Sequence, residues 1–204
     1  MSEFETLAIY GGTFSPPHLG HVHAAEAFSR AVAPDRFLVI PSAIPPHKAP
    51  VTGAGQADRL AMCRLAFSHI PHVEISDMEL TRSGKSYTVD TLRALAAEGR
   101  RIVMLVGTDM FLTLSGWFCA EEIFARTEIA VIRREKDTET TDLLLRTLEK
   151  YREKYGACVS FIDAPPFEIS STVLRERIAC GLSVSQYLSD EVEAYIRECR
   201  LYQP

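Results

Sequence analysis

The sequence predicts an α/β fold, a Rossmann-like, doubly wound, mainly parallel open sheet with helices on both faces and a small C-terminal helical portion. Three observations carry that expectation. Short apolar runs of strand length alternate with longer helical stretches. Ile102–Val106 is five apolar residues in a row, as a central strand buried on both faces requires. The unusual residues gather just after strands, where an open α/β sheet places its ligands.

Taken in order, Leu7–Tyr10 reads as a strand ending at Gly11-Gly12, and Leu19–Val32 as a helix closed by Pro34. Phe37–Ile40 is a second buried strand, ended by Pro41. The loop from Pro41 to Gly55 is rich in Pro and Gly, and loops of that length are more often functional than structural. Gln56–Phe67 is an amphipathic helix, Val73–Ile75 a weaker strand, and Val89–Ala97 a helix with Gly99 as its stop. After the central strand come a shorter strand, Glu128–Ile132, and a charged amphipathic helix, Leu143–Tyr155. That helix lies within a charged stretch, Thr138–Tyr155, expected to be solvated. Val159–Ile162 is a last strand, and two helices begin near Ser171 and Asp190. Residues 1–204 are expected to form one domain, with about 165–204 as its C-terminal helical portion.

Composition narrows the class. Of 204 residues, 47% are hydrophobic and 24% charged, the balance of an ordinary globular chain. The net charge of −5 removes the electrostatic case for a dedicated nucleic-acid binder. No apolar run approaches the roughly 18 residues of a membrane helix. The start, Met-Ser-Glu-Phe-Glu, carries acids where a secretory signal has lysines. Five cysteines, an odd number with no C-x-x-C pair, suit reduced thiols in the cytoplasm.

Two constellations carry chemistry. The first strand runs into Gly11-Gly12-Thr13-Phe14-Ser15-Pro16-Pro17-His18-Leu19-Gly20-His21. Adjacent glycines let backbone turn and approach a ligand closely. The helix starting near His18 aims free N–H groups at the same space, which suits a phosphate. His18 and His21, three apart, are expected to share a helix face, and imidazoles there donate to phosphoryl oxygens. Gly20 between them leaves room for a flat group. A metal cluster of His18, His21 and His23 is the rival reading, weakened by the position of His23 round the helix and by the missing cysteine pair. The second constellation is Ser170-Ser171-Thr172-Val173-Leu174-Arg175. It is a helix N-cap on its plainest reading, and a second phosphate site if Arg175 points along the same face. Gly84-Lys85-Ser86 has Glu79 where a phosphate-binding loop needs its first glycine, so that match is treated as chance.

The two segments resemble the H-x-G-H and S-S-T-x-x-R motifs of the nucleotidyltransferase superfamily. Along nearly its whole length the chain is similar to the bacterial nicotinate-nucleotide adenylyltransferases, through GGTFSPPHLGH, IPPHK, SYTVDTL, GTD, Trp117, ISSTVLR and YIRECRLY. The resemblance implies attack of the 5′-phosphate of nicotinate mononucleotide on the α-phosphorus of ATP, without a covalent intermediate, in NAD biosynthesis. It implies catalytic roles for His18, His21 and Arg175. ATP would be bound by Gly11, Gly12, Thr13, Phe14, His21, Gly107, Asp109, Ser171, Thr172 and Arg175. The mononucleotide would be bound by His18, Lys48, Tyr87, Thr88, Trp117 and Arg134, with Tyr87 and Thr88 supplying backbone N–H and hydroxyl donors to the pyridine carboxylate. Trp117 would stack on the ring, a core role being its rival reading.

Mg²⁺ is implied as ATP's companion, held mostly by phosphate and water, with no protein metal site. The implied partners are ATP and nicotinate mononucleotide, with no nucleic acid and no membrane, and a homo-oligomer is compatible with the sequence. Where the family has Arg-Pro-Gly after the fifth strand, this chain reads Arg133-Arg134-Glu135-Lys136, leaving the choice of arginine open. Two competing functions remain at this point. One is the same transfer to nicotinamide mononucleotide or another phosphorylated acceptor such as phosphopantetheine, and the other a non-catalytic ATP or NAD sensor.

Overall fold

The computed structural model describes residues 5–44, 52–97, 99–133, 138–164, 167 and 169–203. Six strands form one sheet: β1 (Glu5–Gly12), β2 (Arg36–Pro41), β3 (Val73–Ile75), β4 (Arg100–Gly107), β5 (Glu128–Arg133) and β6 (Val159–Asp163). Their order is β3-β2-β1-β4-β5-β6 and every neighbouring pair is parallel. All six therefore end at the same edge. The helices are α1 (Leu19–Val32), α2 (Gln56–Phe67), α3 (Thr88–Leu95), α4 (Thr108–Thr113), α5 (Ala120–Arg126), α6 (Thr138–Tyr155), α7 (Ser171–Ala179) and α8 (Asp190–Glu198). A 3₁₀ turn, Leu114–Gly116, follows α4.

Strand alternation divides the core into two layers. Ala8, Tyr10, Phe37, Val39, Val103 and Leu105 face one layer with residues of α1, α2 and α8. Leu7, Ile9, Leu38, Ile40, Met104 and Val106 face the other with α3, α5 and α6. A shift of one residue in any central strand would exchange the two faces, and since both are buried the register is set by side-chain fit.

The expected strands and long helices form: Leu19–Val32, Gln56–Phe67 and Val73–Ile75 stand as read, the other strands are one to four residues longer, and α3 ends two residues earlier than read, at Leu95. Two short helices, α4 and α5, were not expected. The Thr138–Tyr155 stretch is a helix, but it is not merely solvated, because Leu144, Leu148 and Tyr151 are buried along one stripe. Tyr151 donates its hydroxyl proton to the Phe111 carbonyl at 3.0 Å and accepts from the Ser115 N–H at 3.1 Å. It thereby pins the α4 segment after β4 to α6. Among the described residues no helix is long and apolar enough to cross a membrane.

Candidate active site

The connections leaving β1 and β4 run to opposite sides of the sheet, so the gap between these neighbours is the topological switch point. Gly11–His21 leaves one strand and Gly107-Thr108-Asp109 the other. The structure therefore brings the two groups of candidate residues to one edge. Asp109 is exposed at the second position of α4.

His18 is the cap residue before α1 rather than a member of its first turn, with φ −120° and ψ 168°. His21 sits in the first turn, and its Nδ1 accepts the His18 backbone N–H at 3.1 Å. That bond assigns the proton of neutral His21 to Nε2, leaving Nε2–H as the donating edge. The two imidazole centroids are 3.7 Å apart at an interplanar angle of 33°. Phe14 meets His21 edge-on at 5.2 Å, and Phe167 lies nearly parallel to His18 at 6.4 Å. The flat groups that Gly20 accommodates belong to the protein. A Cβ there would stand 3.0 Å from His18 Nδ1 and Cε1, and 2.9 Å from Phe167. His23 turns instead to the edge of Phe167, 5.3 Å away. Among the described residues no three His, Cys, Asp or Glu side chains converge as a metal cage.

The glycine pair also divides its work. A Cβ on Gly11 would meet nothing within 4 Å, whereas one on Gly12 would lie 2.8 Å from the Phe14 ring. Phe14 is almost fully buried and adopts φ +47°, a left-handed conformation rare for a bulky residue. The turn around it is held from behind. Arg59 of α2 donates from Nη1 to the Thr13 carbonyl at 2.8 Å. Arg175 donates from Nη1 to the Ser15 carbonyl at 2.9 Å, and from Nη2 to Thr172 Oγ1 at 3.2 Å. Ser171 donates its hydroxyl proton to the Pro16 carbonyl at 3.0 Å. Tyr202 and Ser15 share a buried hydroxyl–hydroxyl bond at 2.9 Å, and Ser170 caps α7 by accepting the Val173 N–H. The second motif is thus both a cap and a clamp, and the Ser171 hydroxyl is spent on the loop rather than turned to a ligand.

Across the edge, Tyr87 caps α3. Its backbone N–H donates to the Lys85 carbonyl at 3.0 Å, so it is not the ligand donor expected of it. Thr88 N–H, first in the helix, has no acceptor within the helix. The Tyr87 ring contacts Phe118 at 4.8 Å, and Phe118 is 52% exposed. Trp117 is half-buried against the second core layer, so it serves the core while keeping an accessible side. Behind this shelf Glu79 is buried and accepts the Thr91 hydroxyl proton at 2.6 Å, and burial pushes its carboxyl above the usual range. Ser86 Oγ accepts the Ala43 N–H at 3.0 Å, a bond that ties the loop after β2 to the start of α3. Gly84-Lys85-Ser86 is part of this tie and no phosphate loop.

Arg133 donates twice to Asp163, at 3.0 and 2.6 Å, and lies 5.4 Å over the Phe161 ring. Arg133 is therefore engaged by the neighbouring strand β6. Lys48 and Arg134 lie outside the described residues. Sequence reasoning missed Arg59, for which no local signal exists, and gave Tyr202 no role although it closes the YIRECRLY segment. It also missed Phe118, which the adjacent aromatic pair Trp117-Phe118 could have flagged.

A parallel sheet with an imidazole pair at its switch point, and a hydroxyl–arginine helix start clamped to the same turn, defines a nucleotidyltransferase. Residues 9–177 match the cytidylyltransferase-like family model. The chain belongs more narrowly to the nicotinate-nucleotide adenylyltransferase family. It is 36% identical to a probable nicotinate-nucleotide adenylyltransferase of Trichlorobacter lovleyi, over 97% of this chain and 99% of that protein. It is 34% identical to one from Caldicellulosiruptor saccharolyticus, over 97% and 98%. The fold matches the nicotinic acid mononucleotide adenylyltransferase of Plasmodium falciparum, solved with NaAD, at a TM-score of 0.76 and 17% identity, covering 97% of both chains.

Proposed function

We propose that this protein transfers the adenylyl group of ATP to nicotinate mononucleotide, forming deamido-NAD and pyrophosphate, as one step of NAD biosynthesis. The observation that carries the reading is the His18–His21 pair packed beside the Thr13–Pro17 turn, to which Arg175 is hydrogen-bonded. An oxygen of the acceptor's 5′-phosphate attacks the α-phosphorus as the bond to the bridging oxygen of pyrophosphate breaks. The attacking phosphate is already an anion, so no general base is required. The work is alignment and charge stabilisation.

In this reading His21 Nε2–H donates to the ATP phosphates, and His18 contacts the incoming or bridging phosphate. The backbone at Gly11, Gly12, Thr13 and Phe14 lines the polyphosphate path. Arg175 swings or shares its guanidinium toward the β- and γ-phosphates beside Thr172, with Gly107, Asp109 and the Ser171 backbone on the ATP side. Lys48 and Arg134 hold the mononucleotide phosphate. The Thr88 N–H and the hydroxyls of Tyr87 and Thr88 face the pyridine carboxylate, with Trp117 on the ring. Donors select a carboxylate over an amide, which must turn its own NH₂ away. Mg²⁺ enters on ATP as the substrate complex, held by phosphate oxygens and water. We place the protein in the cytoplasm, as a single catalytic domain.

The test is pyrophosphate release by purified protein with MgATP and nicotinate mononucleotide, nicotinamide mononucleotide, or no acceptor. Release with the nicotinate form, yielding deamido-NAD, is expected. Equal or faster release with the nicotinamide form would overturn the carboxylate assignment.

A further inference from the structure

We infer that Arg59 is a positioning residue, which locks the Thr13–Phe14 peptide so that the Phe14 N–H is presented to the phosphates of ATP. The inference rests on the adenylyltransferase reading above. Arg59 lies in α2, on a helix that supplies none of the expected ligand contacts, and is only 4% exposed. Buried guanidinium groups are ordinarily paired with carboxylates. Among the described residues Arg59 has no carboxylate within ion-pair distance, and its hydrogen bond runs from Nη1 to the Thr13 carbonyl at 2.8 Å. Burial lowers its affinity for the proton, as expected of a cation without a close counter-charge.

What that bond controls follows from peptide geometry. The Thr13 carbonyl and the Phe14 N–H belong to one planar trans unit and point in opposite directions. Drawing the carbonyl back onto Arg59 therefore turns the N–H forward. Of the peptides that follow, those at Pro16 and Pro17 carry no N–H at all, so the turn has few donors to offer. Phe14 is held at φ +47°, where a phenylalanine is strained, and a flip of the Thr13–Phe14 peptide would aim a carbonyl oxygen at the phosphates. Arg59 opposes that flip. Its charge, lacking a carboxylate, also adds to the positive potential behind the turn, with the polyphosphate as its counter-charge.

The test compares wild-type protein with Arg59→Met and Arg59→Lys. Three quantities are read: kcat and KM for MgATP, the Kd for a non-hydrolysable ATP analogue, and the melting temperature. Methionine keeps the apolar stem and removes an uncompensated buried charge, so its melting temperature should be no lower than that of the wild type. Its kcat should fall by about 10²-fold, the scale of losing one oriented oxyanion donor. Its affinity for the ATP analogue should fall about tenfold, with lysine recovering part of both losses. Wild-type kcat and analogue affinity in Arg59→Met would overturn the inference. So would losses that merely track a lowered melting temperature, since that is the mark of a structural role. Absence of turnover in the wild type would break the adenylyltransferase reading instead. The analogue affinities would then decide the Arg59 question, because they need no acceptor.

Discussion

The two sides of the site are built on different plans. On the side proposed for the phosphates, three of the carbonyls between Thr13 and Pro16 are gripped by side chains from two other helices, and His18 is only 3% exposed. On the side proposed for the pyridine ring, the surface is open: Tyr87 and Trp117 are half-buried, and Phe118 stands 52% exposed. Its bracing lies one layer back, where Glu79, Ser86 and Thr91 tie α3 to the loop after β2. The contrast follows from what each side must do. Charge developing at phosphorus rewards donors fixed before the substrate arrives. A flat aromatic acceptor is held by surface contact, which tolerates looser placement.

That division predicts kcat defects on one side and KM defects on the other. The largest effect is expected for His21→Ala, which removes the Nε2 donor and should lower kcat by about 10²-fold or more in a steady-state assay. Unchanged turnover in folded protein would remove His21 from the chemistry. Next comes Gly20→Ala. The added methyl must displace His18 or Phe167, and misplacement by a fraction of an ångström should lower kcat about tenfold or more. A crystal structure of that variant with an unmoved His18 and full activity would show that the packing is slack. Smaller again is Trp117→Ala, expected to raise KM for the acceptor about three- to tenfold with kcat nearly preserved. A kcat defect there would dissolve the contrast between the two sides.

The smallest effect concerns stability. Burial pushes the Tyr202 phenol up to about 12 from its ordinary value of 10.0. A group whose folded value is raised contributes stability that is intact below its unfolded value and lost as pH climbs through the folded one. Thermal melts should therefore lose stability between about pH 10 and 12, and Tyr202→Phe should flatten that alkaline limb. Parallel pH profiles for the two proteins would show the hydroxyl to be idle.

Much of this was legible in the sequence, and the reasons it was are physical. Strands buried on both faces cannot disguise their composition, so Ile102–Val106 and Phe37–Ile40 stood out. The His18–His21 spacing and the Ser170–Arg175 segment carried local chemistry that needs no tertiary context. What escaped was non-local. The helices α4 and α5, of six and seven residues, are too short to show a period. Arg59 looks like any charged residue on an amphipathic helix, and only the fold buries it. The Tyr87 N–H was expected to face a ligand, yet the turn at Lys85 takes it. Glu79 entered only as the residue that spoils a phosphate-loop match, and its hydrogen bond to Thr91 was invisible until α3 was placed.

The bonds that secure the turn after β1 are also among the longest in sequence. Arg175 reaches Ser15 across 160 residues, and Tyr202 reaches it across 187. A ribosome that has made β1, α1 and most of the sheet has not yet delivered either partner. The nascent polypeptide can fold much of its core and still lack a finished nucleotide turn. Competence to bind and react therefore waits until α7 and the residues after α8 have emerged. Loss of Tyr202 would reach the turn after β1 directly, although the two are far apart in the chain.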